Sequence, residues 1–174
     1  MKKHLDLIKE LRMMTSSSIA DCKKAIEEAG GDLKKAQELL RKRGLEIAAK
    51  KQSRSTREGR VEAYIHTGNK IGVLLEVGCE TDFVAKNSDF AQFAKDVAMQ
   101  VAATSPAYLK REDVPAEIAE QEKGNEQFFK EHCLLEQPFI KDPSITIKDY
   151  LSSLVAKVGE NIIVHKFIRY RVGE

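Results

Sequence analysis

Apolar residues recur at helical spacing three times within the first 45 positions. Leu5, Ile8 and Leu11 mark one stripe, Ile19, Cys22, Ile26 and Ala29 a second, and Leu33, Ala36 and Leu40 a third. Local signals separate them. Thr15-Ser16-Ser17-Ser18 is a break rich in capping residues, and Ser18-Ile19-Ala20-Asp21 fits a capping box with Asp in the usual Glu position. Gly30-Gly31 stops the second helix, Asp32 caps the third, and Gly44 is expected to end it. Helices this short do not persist alone in water, so the three must pack together. Their core, about a dozen apolar side chains, suits a docking module better than a scaffold.

The pattern then changes. Over residues 46–59 the apolar stripe lapses after Ala49, and Lys50, Lys51, Arg54 and Arg57 alternate with Ser, Thr and Gln as far as Arg60. This segment reads as a frayed helix end entering a basic linker. No aromatic residue is interleaved for base stacking, so a solvated linker is preferred to an RNA contact.

From residue 60 to 174 the period alternates between two and 3.6. Val61, Ala63 and Ile65 alternate with polar neighbours, Gly68-Asn69 makes a turn, and Ile71–Val77 returns as an apolar strand. Phe90, Phe93, Ala94, Val97, Ala98 and Val101 mark a helix with Ser88 as its cap, and a polar helix is expected over Ala116–His132. Leu134–Ser144 reads as loop. Thr146-Ile147-Lys148-Asp149 opens a last helix closed by Gly159, and Asn161–Val172 reads as a closing strand. The expected fold is α+β: a three-helix N-terminal domain (1–45), a basic linker (46–59), and a core domain (60–174). In the core, helices lie on one side of a small antiparallel three-stranded sheet.

Composition narrows the function. With 42% hydrophobic and 32% charged residues, the chain can bury a core and stay solvated. A net charge of +2 gives no global field for nucleic acid. No apolar run is long enough for a membrane span, and Met1-Lys2-Lys3-His4-Leu5-Asp6 lacks a signal-peptide core, so a cytosolic location is expected. Cys22, Cys79 and Cys133 have neither metal-ligand spacing nor even number, and read as reduced, mostly buried thiols, with Cys133 the exception. His4, His66, His132 and His165 fall in different elements, and only His66 and His165 are on strands able to approach one another. Nucleotide-binding glycine motifs and a nucleophile elbow are missing from the sequence, so neither a catalytic site nor a cofactor is expected.

The junction after the second strand, Glu80-Thr81-Asp82-Phe83-Val84-Ala85, is open to two readings. In one, Asp82 caps a helix and Phe83 joins the core. In the other, Phe83 is an exposed anchor for a partner's pocket and Asp82 engages polar groups beside it.

The chain resembles the bacterial elongation factor Ts family over nearly its whole length. The resemblance rests on Leu11-Arg12, Asp21-Cys22-Lys23-Lys24-Ala25, Gly31-Asp32, Leu75-Glu76-Val77, Cys79 through Ala85, Gln137-Pro138-Phe139 and Phe167 through Glu174. It implies a ubiquitin-associated-like N-terminal domain and a guanine-nucleotide exchange factor that binds elongation factor Tu·GDP, dislodges Mg²⁺ and promotes GDP release. Thr81, Asp82, Phe83 and Val84 match the segment associated with Mg²⁺ dislocation, with Phe83 as the wedge. Leu11, Arg12, Ile19 and Ala20 fall on the N-terminal partner contact. Where the family often has a glycine-rich turn and a Met pair, this chain has Ser16-Ser17-Ser18 and Ile19-Ala20. The family's long form carries two core subdomains and this chain has room for one. Two chains are therefore expected to pair as a C₂ homodimer. No direct binding of nucleotide, nucleic acid or membrane is expected.

Overall fold

The fold is taken from a computed structural model that describes residues 4–15 and 17–174. Ser16, in the expected break, lies outside the described residues. Three helices come first: α1 (His4–Thr15), α2 (Ile19–Glu28) and α3 (Leu33–Lys51). Ser18 caps α2, its hydroxyl oxygen accepting from Asp21 N at 3.1 Å, and Asp32 caps α3 by accepting from Lys34 N and Lys35 N. Ile8, Leu11, Cys22, Ala25, Ile26, Ala36 and Leu40 form a small core of their own. Leu5 is not part of it. It is exposed, and Leu7 packs there instead.

Gly44 does not end α3. The helix runs through it to Lys51, because Gly44 is buried where α3 crosses a later helix near the Ser152 carbonyl. A glycine stops a helix when the chain can turn left-handed there, and close packing of Gly44 against Ser152 and Ser153 holds it helical. The irregular connector is accordingly residues 52–57.

Strands β1 (Glu58–Ile65) and β2 (Ile71–Cys79) pair antiparallel, and β5 (Ile162–Arg171) pairs antiparallel with the other edge of β2. Between β2 and β5 come α4 (Asp82–Ala85), α5 (Ser88–Thr104), α6 (Ala116–Gln121), α7 (Glu126–His132), a hairpin of β3 (Pro138–Phe139) and β4 (Asp142–Thr146), and α8 (Ile147–Val158). The single polar helix expected over Ala116–His132 is two, broken around Gly124 at φ 86°. The stretch read as loop at Leu134–Ser144 contains a 3₁₀ turn and the start of the β3–β4 hairpin. Buried Gln100 holds that hairpin, donating to the Pro138 carbonyl at 3.1 Å and accepting from Ile140 N at 2.9 Å.

The main core lies between the inner face of the sheet and α5 and α8, where Val73, Leu75 and Val77 meet Phe90, Phe93, Val97, Leu154 and Val155. Asn87, rather than Ser88, caps α5. Thr146 and Asp149 form the capping box of α8, and Arg41 reaches from α3 to the same Asp149 at 2.9 Å. All three cysteines are buried. Cys133, expected to be the accessible one, is fully enclosed beside Val114 and Phe129.

The alternation in β1 is real but faces the other way from the core. Val61, Ala63 and Ile65 lie on the outer face, while Arg60, Glu62 and Tyr64 turn inward beneath the helices. Register places Ala63 beside Leu74 and Leu74 beside Ile168, with Tyr170 next to Gly72. Val61, Ile65, Leu74, Ile168 and Tyr170 are all exposed, so the uncovered face of the sheet is largely apolar.

Candidate functional site

The segment Thr81-Asp82-Phe83-Val84 forms a one-turn helix directly beyond the end of β2. Thr81 is its N-cap, with extended backbone and a hydroxyl oxygen that accepts from Val84 N at 3.5 Å. Asp82 lies inside the first turn rather than at the cap. Val84 is buried and anchors the turn on the main core, whereas Phe83 is 83% exposed. The alternative in which Phe83 joins the core is excluded by that exposure. Phe90, on the next helix, is fully buried and occupies the core instead.

An exposed phenylalanine on a helical turn has its direction set by backbone anchored on both sides. Val84 anchors one side. On the other, Glu160 accepts from Thr81 N at 3.0 Å and from the Thr81 hydroxyl at 2.6 Å. The Asp82 carboxylate accepts from Lys86 Nζ at 2.7 Å across one helical turn. That hydrogen bond and the lysine charge hold the Asp82 carboxyl below its ordinary range and raise Lys86 correspondingly. Both groups are in water, so the pair contributes little to stability. Aspartate is ionised at neutral pH in any case, so the tip carries a carboxylate next to an apolar ring.

The residues expected to make the N-terminal contact divide. Arg12, Ile19 and Ala20 are exposed, and Met13 and Met14 beside them are exposed too. Leu11 is fully buried in the three-helix core and has no surface to offer a partner. Helical spacing placed Leu11 on the apolar stripe, and that stripe is the one the module consumes internally. Met13 and Met14 lie outside the stripe, and their surplus apolar character was the signal available in sequence.

The other chemical candidates remain apart. The Tyr64 hydroxyl and His66 Nδ1 share a hydrogen bond of 3.1 Å near the β1–β2 turn, while His165 Nε2 meets the Thr56 hydroxyl at 3.2 Å at the opposite end of the sheet. Among the described residues no group of three or more His, Cys, Asp or Glu is arranged to hold a metal ion, and no helix is long and apolar enough to cross a membrane. Much of the basic run is committed within the chain. Lys51 donates to the Gly159 carbonyl, Arg54 approaches Glu80, and Arg60 pairs with Glu62.

The family model described as "Elongation factor TS" matches residues 5–127 and 124–174. A protein named Elongation factor Ts from Carboxydothermus hydrogenoformans is 51% identical over 191 aligned positions, covering 97% of this chain and 88% of the relative. Proteins of the same name from Thermodesulfovibrio yellowstonii and Caldanaerobacter subterraneus subsp. tengcongensis are 49% and 47% identical, each with 95% of its length covered. These alignments are longer than the 174-residue chain, so the relatives carry residues without a counterpart here. The two matched segments of the family model overlap at 124–127, from the break at Gly124 into the start of α7.

Proposed function

The chain belongs to the elongation factor Ts family and is a translation elongation factor, and from that premise we propose that it acts as the guanine-nucleotide exchange factor of elongation factor Tu. The observation that carries the reading is the Thr81–Val84 turn, which presents Phe83 to solvent while burying its neighbour Val84. A folded chain has no internal reason to hold a large aromatic ring in water on a doubly anchored turn. An anchor for a partner's pocket supplies one.

The mechanism is one of linkage. A protein that binds the nucleotide-free partner more tightly than the nucleotide-bound one weakens nucleotide affinity by the same factor. Mg²⁺ bridges and neutralises phosphate oxygens, so disturbing its coordination in the partner releases GDP. Phe83 supplies the wedge, and the ionised Asp82 offers a carboxylate to polar groups released as the partner rearranges. Arg12, Ile19 and Ala20, with Met13 and Met14, give the N-terminal module a second contact with the same partner. The chain itself then needs no cofactor and performs no covalent chemistry.

Two copies pair through the outer face of the sheet, rebuilding a core of two subdomains. Support comes from the apolar surface of Val61, Ile65, Leu74, Ile168 and Tyr170, which no element of this chain covers among the described residues. Faces of that kind mark association sites. Soluble, cytoplasmic placement follows from the proposed partner.

The test is release of labelled GDP from elongation factor Tu with and without this chain. Acceleration is expected, and an unchanged rate refutes the exchange reading. Sedimentation should give a dimer at micromolar concentration, and a monomer alone refutes the pairing.

A further inference from the structure

Between the left-handed end of α8 and the start of β5 lies a three-residue turn, Gly159-Glu160-Asn161. Gly159 takes φ 79°, a conformation that glycine adopts without strain, and this swings Glu160 back toward the end of β2. The Glu160 carboxylate then meets three donors. One oxygen accepts from Glu80 N at 3.2 Å and Thr81 N at 3.0 Å, and the other from the Thr81 hydroxyl at 2.6 Å. These two amides have left the strand ladder and precede the first hydrogen bond of α4, so no backbone carbonyl is positioned to take them. A carboxylate is the side chain able to satisfy all three donors at once.

The same turn is engaged from the opposite direction. Glu80 returns the contact by accepting from Asn161 N at 2.6 Å. The buried Asn161 amide donates to the Arg54 carbonyl at 2.7 Å, and Lys51 donates to the Gly159 carbonyl at 2.6 Å. The root of the Phe83 tip and the connector leaving the N-terminal module are thus both fastened to three consecutive residues.

We infer that Glu160 is a positioning residue for exchange: it fixes the backbone at Thr81 so that the exposed Phe83 ring is aimed, and the 159–161 turn sets that tip relative to the N-terminal module. The inference rests on the exchange activity proposed above. Phe83 has no packing to hold it, so its direction depends on the turn that carries it. With the Glu160 tether gone, the Thr81 amide and hydroxyl lose their acceptor, and the turn keeps only the buried Val84, the weak Cys79 thiol contact to the Thr81 carbonyl and the Glu80–Asn161 contact at its root. A displacement of about 1 Å at a working contact is enough to slow a reaction by up to about a hundredfold.

Four variants separate the outcomes in the GDP-release assay, each checked by thermal melting and by hydrogen exchange at the Glu80 and Thr81 amides. Glu160→Asp keeps the charge but is one methylene too short to reach all three donors. It should slow stimulated release about tenfold or more and deprotect the two amides while α5 stays protected. Glu160→Gln keeps the reach and loses the charge: its one oxygen can accept from both amides while the Thr81 hydroxyl turns to accept from the new NH₂, so it should retain most of the rate. Phe83→Ala should be slow, and Phe83→Ala with Glu160→Asp no slower than Phe83→Ala alone, because a misaimed ring and an absent ring fail at the same step. A fast Glu160→Asp protein beside a slow Phe83→Ala protein overturns the positioning role. So does a slow Glu160→Gln protein beside a fast Glu160→Asp protein, since charge rather than reach would then matter. A Phe83→Ala protein as fast as wild type instead removes the exchange reading on which the inference rests.

Discussion

Phe83 and Phe90 lie seven residues apart and should respond oppositely to truncation. Phe83 is 83% exposed and Phe90 is fully buried. Burying a phenylalanine completely is worth up to about 3 kcal/mol, so the folded chain gains only about 0.5 kcal/mol from Phe83. The remaining ~2.5 kcal/mol is available to a partner's pocket, equivalent to about a sixtyfold change in a rate or equilibrium that depends on it. Phe83→Ala should therefore lower the melting temperature by about 1–2 °C while slowing stimulated GDP release by well over about tenfold. Phe90→Ala opens a cavity under the sheet and costs about 3–5 kcal/mol, a fall on the order of 10 °C. Calorimetry and labelled-GDP release on the same preparations decide it. A Phe83→Ala protein that melts like Phe90→Ala, or that exchanges within about twofold of wild type, refutes the reasoning.

Three further outcomes follow from the packing. Leu74 sits between Ala63 and Ile168 on the open sheet face, so Leu74→Glu should convert the proposed dimer to monomer in sedimentation without altering the circular dichroism; a variant that still sediments as a dimer refutes this face as the interface. Burial first, and the Glu160 carboxylate second, push the Cys79 thiol up to about 11 from an ordinary 9.0. The folded value is raised, so this contribution to stability is complete below pH 9.0 and lost as pH rises through about 11. Native protein should resist thiol reagents at neutral pH and react on denaturation, and Cys79→Ala should flatten the alkaline fall in melting temperature. Asp149→Ala removes the capping box of α8 together with the Arg41 contact from α3. The lost cap should cost about 1–2 kcal/mol, with the half-exposed arginine adding little, and an unchanged melt would show the box to be idle.

The sequence by itself determined features whose causes are local. Ser18, Asp32 and Thr146 each cap the helix expected of them, and Gly159 closes α8, because a side-chain oxygen within three residues of a free amide, or a glycine free to turn left-handed, needs no distant partner. Alternation likewise located β1 and β5, an apolar run located β2, and the set of motifs located the family. Alternation does not say which face of a strand the helices will cover, and in β1 they cover the one bearing Arg60, Glu62 and Tyr64. Gly44 carries a stop signal that packing against α8 overrides, and Cys133 lies in a polar stretch yet is enclosed by Val114 and Phe129. The candidate site shows the same division. Thr81 to Val84 stood out as residues, but whether Phe83 faced core or solvent depended on Val84 and Phe90 already filling the space beneath it. Glu160, the residue that fixes the turn, is 79 positions from Thr81 in sequence and meets it only because β5 returns beside β2. Contacts of that range arise from how the elements pack, and no local pattern encodes them.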